Sequence, residues 1–245
     1  MSRIFLAVFG LAVASAQTQT TTRMPVVVEL FTSEGCSSCP PADSLLARLQ
    51  RISPDVDIIP LSEHVDYWNH LGWQDRFSAP LFSMRQQDYG RTFGLESVYT
   101  PEMVVNGTVE FSGTDEARAQ KEIARAADSP RALTTMTLTG NSAVHLHVEK
   151  VPATARTVDV FLAITETNLE SEVRGGENNG RRLRHVGVVR NLSSVGHFDT
   201  RKAGAYDADA KLNLNPQWRA ENLKLVVFVQ DRSNRKIIGA STLRP

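Results

Sequence analysis

One stretch constrains the fold more than any other: Pro25 to Ile52, PVVVELFTSEGCSSCPPADSLLARLQRI. Val26, Val27, Val28, Leu30 and Phe31 form a short β-rich apolar run, dense enough for a sheet strand covered on both faces. The polar turn Thr32-Ser33-Glu34-Gly35 ends that run, and Cys36 and Cys39 follow it. Ala42, Leu45, Leu46, Leu49 and Ile52 then recur at helical spacing and predict an amphipathic helix packed back on the sheet. Pro40 and Pro41 lack backbone N–H groups, so the regular helix is expected to begin near Cys39. Both sulfurs therefore belong to the amino end of a helix, where free N–H groups and the helix dipole favour a thiolate. On this reading Cys36, on the loop side, is the more exposed of the two and the nucleophile. Cys39 is the buried resolving partner.

Three chemistries fit such a pair: a redox dithiol, a metal site or a structural bridge. A cross-link closing so short a loop stabilises by only about 2 kcal/mol, against about 3 for a fifteen-residue loop, which makes a purely structural staple a small gain. A structural zinc site needs four ligands, and the chain has no third cysteine. The redox dithiol is the reading that asks for the fewest additions.

The amino terminus bears on the compartment. Arg3 precedes an apolar run from Ile4 to Val13, and Ala14-Ser15-Ala16 follows, which reads as a signal peptide over residues 1–16. The run is too short to span a bilayer, which takes about twenty residues. Residues 17–24, rich in Thr and Gln, read as a flexible lead-in. The expected location is therefore exported, periplasmic or secreted, where a lone cysteine pair has a use as a working dithiol. The 27 basic and 27 acidic side chains cancel, so nucleic acid is not an expected partner.

Val56 to Leu61 reads as a second strand, parallel to the first. At its carboxyl end comes Ser62-Glu63-His64-Val65-Asp66-Tyr67-Trp68, at the edge where open α/β sheets bind ligands. His64, Asp66 and Trp68 are thus site candidates. A histidine there could stabilise the Cys36 thiolate or relay a proton, whereas Trp68 and Trp73 read first as core aromatics packed under the following helix. Gln74 to Phe93 reads as an inserted helical region broken near Pro80. Asn106-Gly107 between two β-rich runs is a strong hairpin signal. Asp115 to Ala127 reads as a closing helix capped by Thr114.

This order resembles the thioredoxin fold. The chain also resembles a family of secreted bacterial proteins of unknown function, whose pattern Glu-Leu-Phe-Thr-Ser-x-Gly-Cys-Ser-Ser-Cys-Pro-Pro-Ala-Asp matches Glu29 to Asp43. The family's His-Val-Asp-Tyr-Trp and Tyr-Thr-Pro segments match His64 to Trp68 and Tyr99 to Pro101. The resemblance implies that the Thr100–Pro101 bond is cis and faces the dithiol. It also implies a buried acid beneath the cysteines, for which Glu29 is the candidate, seven residues before Cys36 and one more than in the familiar pattern.

From Arg131 onward the pattern changes. Residues 133–139, 143–148, 157–167, 186–192, 197–201, 208–214, 223–231 and 236–242 are β-rich runs divided by turn residues, which suggests an antiparallel, immunoglobulin-like β-sandwich. The fold class expected is an α/β thioredoxin-like domain over 25–130, followed by an all-β sandwich domain over 131–245. Glu170 to Arg184, polar and glycine-rich, reads as a mobile hairpin loop or as a lid or docking loop for a partner. His145 and His147 alternate on one strand face, a surface position that could also bind metal.

The expected function is thiol-disulfide exchange with a protein client or redox partner through Cys36 and Cys39, with Pro101, Glu29 and His64 in support and no cofactor. Two alternatives stand beside it. Cys36, Cys39 and His64 form a soft ligand set suited to Cu(I), and a non-catalytic binding module would leave the dithiol vestigial.

Overall fold

The computed structural model describes residues 25–245 apart from residue 141, so the signal peptide and lead-in expected over 1–24 lie outside the described residues. The first half runs β1 (Val26–Thr32), α1 (Cys39–Ile52), β2 (Ile58–His64), α2 (Pro80–Phe93), β3 (Glu102–Val105), β4 (Val109–Ser112) and α3 (Glu116–Ala127). The second half is all strand apart from one 3-10 turn. It runs β5 (Leu133–Thr139), β6 (Ala143–Glu149), β7 (Thr157–Glu166), β8 (Leu169–Glu172), β9 (Arg182–His185), β10 (Val188–Asp199), β11 (Ala205–Lys211), β12 (Leu223–Asp231) and β13 (Ile237–Leu243). The chain is thus mostly β-strand, with a mixed sheet and few helices.

The strands on either side of residue 130 hydrogen-bond into one eight-stranded sheet, ordered β13-β12-β7-β10-β2-β1-β3-β4. β1 and β2 are parallel over their whole length, Val26 opposite Ile58 through Thr32 opposite His64; β3 is antiparallel to β1, and β4 is antiparallel to β3. The join between the halves is narrow: β10 pairs with β2 at Val188 and Ser62, and the Ser62 N–H donates to Gly187 O at 2.8 Å. A second sheet, β11-β6-β5, lies over the β7, β10 and β12 side and closes an apolar core around Val144, Leu146, Val160 and Leu225.

Alternation along β1 sets both faces of the other half. Val26, Val28 and Leu30 meet the α1 and α3 stripes of Leu45, Leu49 and Ile123. Val27 meets Ile59, Leu61, α2's Phe82 and Phe228 of β12 on the opposite face. Each fully buried side chain of this size contributes about 1.5–3 kcal/mol. The same face holds an ionic knot. Arg85 Nε donates to Glu29 Oε1 at 2.6 Å, its Nη2 donates to Tyr89 Oη at 3.0 Å, and its Nη1 donates to Gln230 Oε1 at 3.2 Å. The guanidinium also lies over the rings of Tyr89, Phe161 and Phe228, so it ties β1, α2, β7 and β12 together.

Several sequence expectations need correction. β2 continues through His64 because its ladder with β1 does, so His64 is a strand residue and not a loop residue. Pro80 begins α2 and does not break it, since proline fits the first turn of a helix. The cap of α3 is Asp115, whose carboxylate accepts from Arg118 N, and not Thr114. The runs 186–192 and 197–201 are one strand, β10, with register shifts where two were expected. The Asn106-Gly107 hairpin forms as expected, with φ of 47° and 60° at its two turn residues.

Candidate functional site

The site assembles at the carboxyl ends of β1 and β2. Cys36 and Cys39 form a disulfide with Cα atoms 5.4 Å apart. The Cys39 N–H donates to Cys36 O at 3.2 Å, so the bridge closes the first turn leading into α1. Cys36 Sγ lies 3.3 Å from Ser38 Oγ.

The Thr100–Pro101 peptide bond is cis. Glu102, the next residue, pairs with Phe31 of β1, which brings Pro101 level with the end of that strand. The close packing there is measurable at Gly113, where an added Cβ would lie 3.0 Å from Ala42 Cβ and 3.1 Å from Pro101 Cβ. Trp68 spans the gap between the two loops. Its Nε1 donates to Thr100 Oγ1 at 2.9 Å, and its Cβ is 3.2 Å from where a side chain on Gly35 would begin. Asp66 instead exchanges hydrogen bonds with Ser83 of α2 and holds that helix in place.

Behind the disulfide is a buried polar cluster. His64 Nδ1 meets Asp75 Oδ2 at 2.6 Å, and that carboxylate also accepts the Glu34 and Phe77 N–H groups. His185, from the end of β9, sets its ring 4.9 Å from that of His64, and its Nε2 stands 3.3 Å from Glu34 Oε1. Trp73 Nε1 donates to Glu34 Oε2 at 2.8 Å. Burial disfavours charge on His64, but the Asp75 carboxylate, with Asp43 and Glu34 behind it, more than offsets this and raises its pKa. Burial likewise pushes Asp75 up, and the facing His64 outweighs it and holds the carboxyl low. Asp43, one helical turn after Cys39, is raised by burial, with His185 and His64 opposing. Beside the Glu34–His185 contact, four buried atoms here have no hydrogen-bond partner: Thr32 Oγ1, Asp43 Oδ1, His64 Nε2 and His185 Nδ1. Unpaired buried polar atoms are costly, so their gathering in one place makes this cluster a candidate site.

The sequence candidates divide accordingly. Cys36, Cys39, Pro101 and Trp68 come together. His64 belongs to the cluster behind them and bonds Asp75. Glu29 is elsewhere: both its oxygens serve Arg85 and Tyr89, at 2.6 Å each, on the sheet face opposite α1. Among the described residues no group of three or more Cys, His, Asp or Glu side chains is arranged to hold a metal ion. His145 and His147 pair with Asp209 and Asp207 on an exposed strand face.

The expectation that Cys36 is the exposed cysteine is corrected, because both cysteines are fully buried, each at 0%. The cover comes from the segment read as a loop over Glu170 to Arg184. Its two short strands, β8 and β9, pair with each other, and the tip between them lies on the dithiol. Asn178 Nδ2 donates to Glu34 O at 2.9 Å and to Cys36 O at 2.8 Å, and the Ser37 N–H donates to Glu177 Oε2 at 3.0 Å. Sequence reasoning missed Asn178, Asp43 and His185. Only Asp43 had a local signal, as an acid on the buried stripe of α1.

A family model described as a protein of unknown function, DUF1223, matches residues 27–230. The chain belongs to the DUF1223 family. Among solved structures, this DUF1223 protein is similar to the crystal structure of protein AGR_C_4864 from Agrobacterium tumefaciens. The two are 28% identical, with 89% of this chain and 93% of that chain covered and a TM-score of 0.70. A domain of the outer membrane lipoprotein Omp28 from Porphyromonas gingivalis also matches, at 15% identity over 46% of this chain and 84% of that one, with a TM-score of 0.30. Among curated proteins, none matches this sequence. Among the described residues no helix is long and apolar enough to cross a membrane.

Proposed function

We propose that this DUF1223 protein is an exported thiol-disulfide oxidoreductase whose first half is thioredoxin-like, with Cys36 as the exchanging sulfur and Cys39 as its resolving partner. One observation carries the reading: the only two cysteines form a disulfide across the amino end of a helix, at the carboxyl ends of two parallel strands. That position stabilises a thiolate by the helix dipole. In the oxidising direction, a client thiolate attacks Cys36 Sγ and Cys39 leaves as the thiolate. A second client thiolate then attacks the mixed disulfide and expels Cys36. Two electrons pass to the protein, and the two client protons end on Cys36 and Cys39. The reverse sequence reduces a client disulfide. Asp43 is the acid on the Cys39 side of α1, i,i+4 from it, and is the group we assign to exchange a proton with Cys39.

The test is trapping. Cys39→Ser is expected to accumulate mixed disulfides in the exporting cell, seen as higher-mass bands on non-reducing gels that collapse to monomer with reductant, and Cys36→Ser is expected to accumulate none. Alkylation of Cys36 in the Cys39→Ser protein is expected to titrate well below the free-thiol value of about 8.5. A Cys36 that titrates near that value, with no trapped partner, sinks the catalytic reading.

A further inference from the structure

The tip of the β8–β9 hairpin bonds both sides of one peptide group. Cys36 O accepts from Asn178 Nδ2 and the Ser37 N–H donates to Glu177 Oε2, and these two atoms belong to the same Cys36–Ser37 peptide unit. The Asn178 carboxamide is fully used, since its Oδ1 also accepts from Arg181 Nη1 at 3.1 Å and the side chain is 0% exposed. The tip is closely seated as well. An added Cβ on Gly175 would lie 2.3 Å from Gly72 O, and one on Gly176 would lie 3.2 Å from Trp73 Cβ. Yet β8 and β9 form ladder pairs only with each other and belong to neither large sheet, so no ladder holds the tip down.

We propose that this tip is an intramolecular occupant of the client-docking surface, holding the place of an extended polypeptide beside the disulfide and keeping it closed to exchange until displaced. The inference rests on the oxidoreductase reading. A donor from Asn178 and an acceptor from Glu177 are what one stretch of main chain also offers, an N–H and a C=O. A client's extended segment flanking its cysteine can therefore replace the tip without leaving the Cys36–Ser37 peptide unpaired. Displacement also uncovers Trp73, next to Leu71, which is already 48% exposed. The partner so defined is an unfolded or extended polypeptide with an apolar residue near its cysteine.

The experiment uses the oxidised mature chain and two probes, dithiothreitol and reduced, unfolded ribonuclease. Removing the Asn178 amide takes away three hydrogen bonds, two of them to the Glu34 and Cys36 carbonyls, so Asn178→Ala is expected to be reduced by dithiothreitol about tenfold faster, and Glu177→Ala, altered at an exposed side chain, about threefold faster. Both are expected to oxidise ribonuclease faster than the parent. Unchanged dithiothreitol rates in both variants overturn the proposal, and Glu177→Ala alone decides the matter where Asn178→Ala does not fold. The two readings separate cleanly. Ribonuclease oxidation at the parent rate in both variants removes the occupied docking surface and leaves the oxidoreductase standing. Faster reduction by dithiothreitol with no ribonuclease oxidation by any form removes the oxidoreductase and upholds the occlusion.

Discussion

Glu29→Gln separates a structural acid from a catalytic one. The side chain is fully buried; Oε1 accepts from Arg85 Nε and Oε2 from Tyr89 Oη, each at 2.6 Å. A glutamine keeps the shape and can offer its one oxygen to Arg85, which turns its NH2 toward Tyr89. Tyr89 Oη cannot receive it, because both lone pairs already accept, from Arg85 Nη2 at 3.0 Å and from Gln230 Nε2 at 2.9 Å. Two donors then face each other, and Arg85 is left with Glu63 at 3.5 Å as its remaining counter-charge. Breaking a buried pair costs about 3–5 kcal/mol. In a chain of this size each kcal/mol lowers the melting temperature by about 2–4 °C, so the lower end of that cost is about 6–12 °C. Thermal unfolding followed by circular dichroism reads the loss, and alkylation kinetics of the reduced protein read the thiols. The expected outcome is a large loss of stability with thiol rates within about twofold of the parent. A variant that melts within a degree of the parent, yet whose Cys39 reacts tenfold more slowly, refutes the reasoning and returns Glu29 to the dithiol.

Two further outcomes follow from the packing around Pro101. Glu102 is buried against Gln86, and burial raises its carboxyl from 4.5 to about 7. A folded value above the unfolded one means stability fully present below about pH 4.5 and lost as pH rises through 7, by about 3 kcal/mol at 1.36 kcal/mol per pH unit. Glu102→Gln is expected to flatten the urea midpoint across that window, and an unchanged slope counts against the assignment. Gly113→Ala would place a methyl 2.8 Å from Leu30 Cδ1 and 3.1 Å from Pro101 Cβ. Overpacking of this kind costs about 1–3 kcal/mol, and a variant as stable as the parent in urea would show that the Pro101 loop yields freely.

What the sequence displays is what is local. The β1–turn–α1 unit, the start of the helix at Cys39 and the Asn106-Gly107 hairpin are each specified by neighbours a few residues apart, through apolar period, proline chemistry and turn geometry. The join of the two halves has no such signal. It depends on Gly187 O reaching Ser62 N and on β10 meeting β2 at a single residue pair, which no period within either strand encodes. The cover on the dithiol is more remote still, since Asn178 lies 144 residues from Glu34. A polar, glycine-rich stretch such as 170–184 reads as loop because its partners are main-chain carbonyls, which any sequence supplies.

The misplacement of Glu29 has a one-residue cause. Successive side chains of a strand point to opposite faces, so the parity of a position decides which chemistry it can join. Along β1, Val26, Val28 and Leu30 face α1, whereas Val27 packs with α2; Glu29 shares the parity of Val27, and Thr32 shares that of Leu30. In β2, Ile58 joins the α1 side and Ile59 and Leu61 the other, which sends Glu63 toward Arg85 and His64 toward α1. The pleat therefore sorts the buried ionisable groups into two sets. Glu29, Glu63 and Arg85 form a knot that binds the halves of the sheet, while His64 joins Asp43 of α1 and His185 of β9 behind the cysteines. An acid seven residues before Cys36 falls on the knot's side, and one six residues before would have fallen on the dithiol's. With Leu30 at that position, the acid on the dithiol side comes from the helix instead, at Asp43.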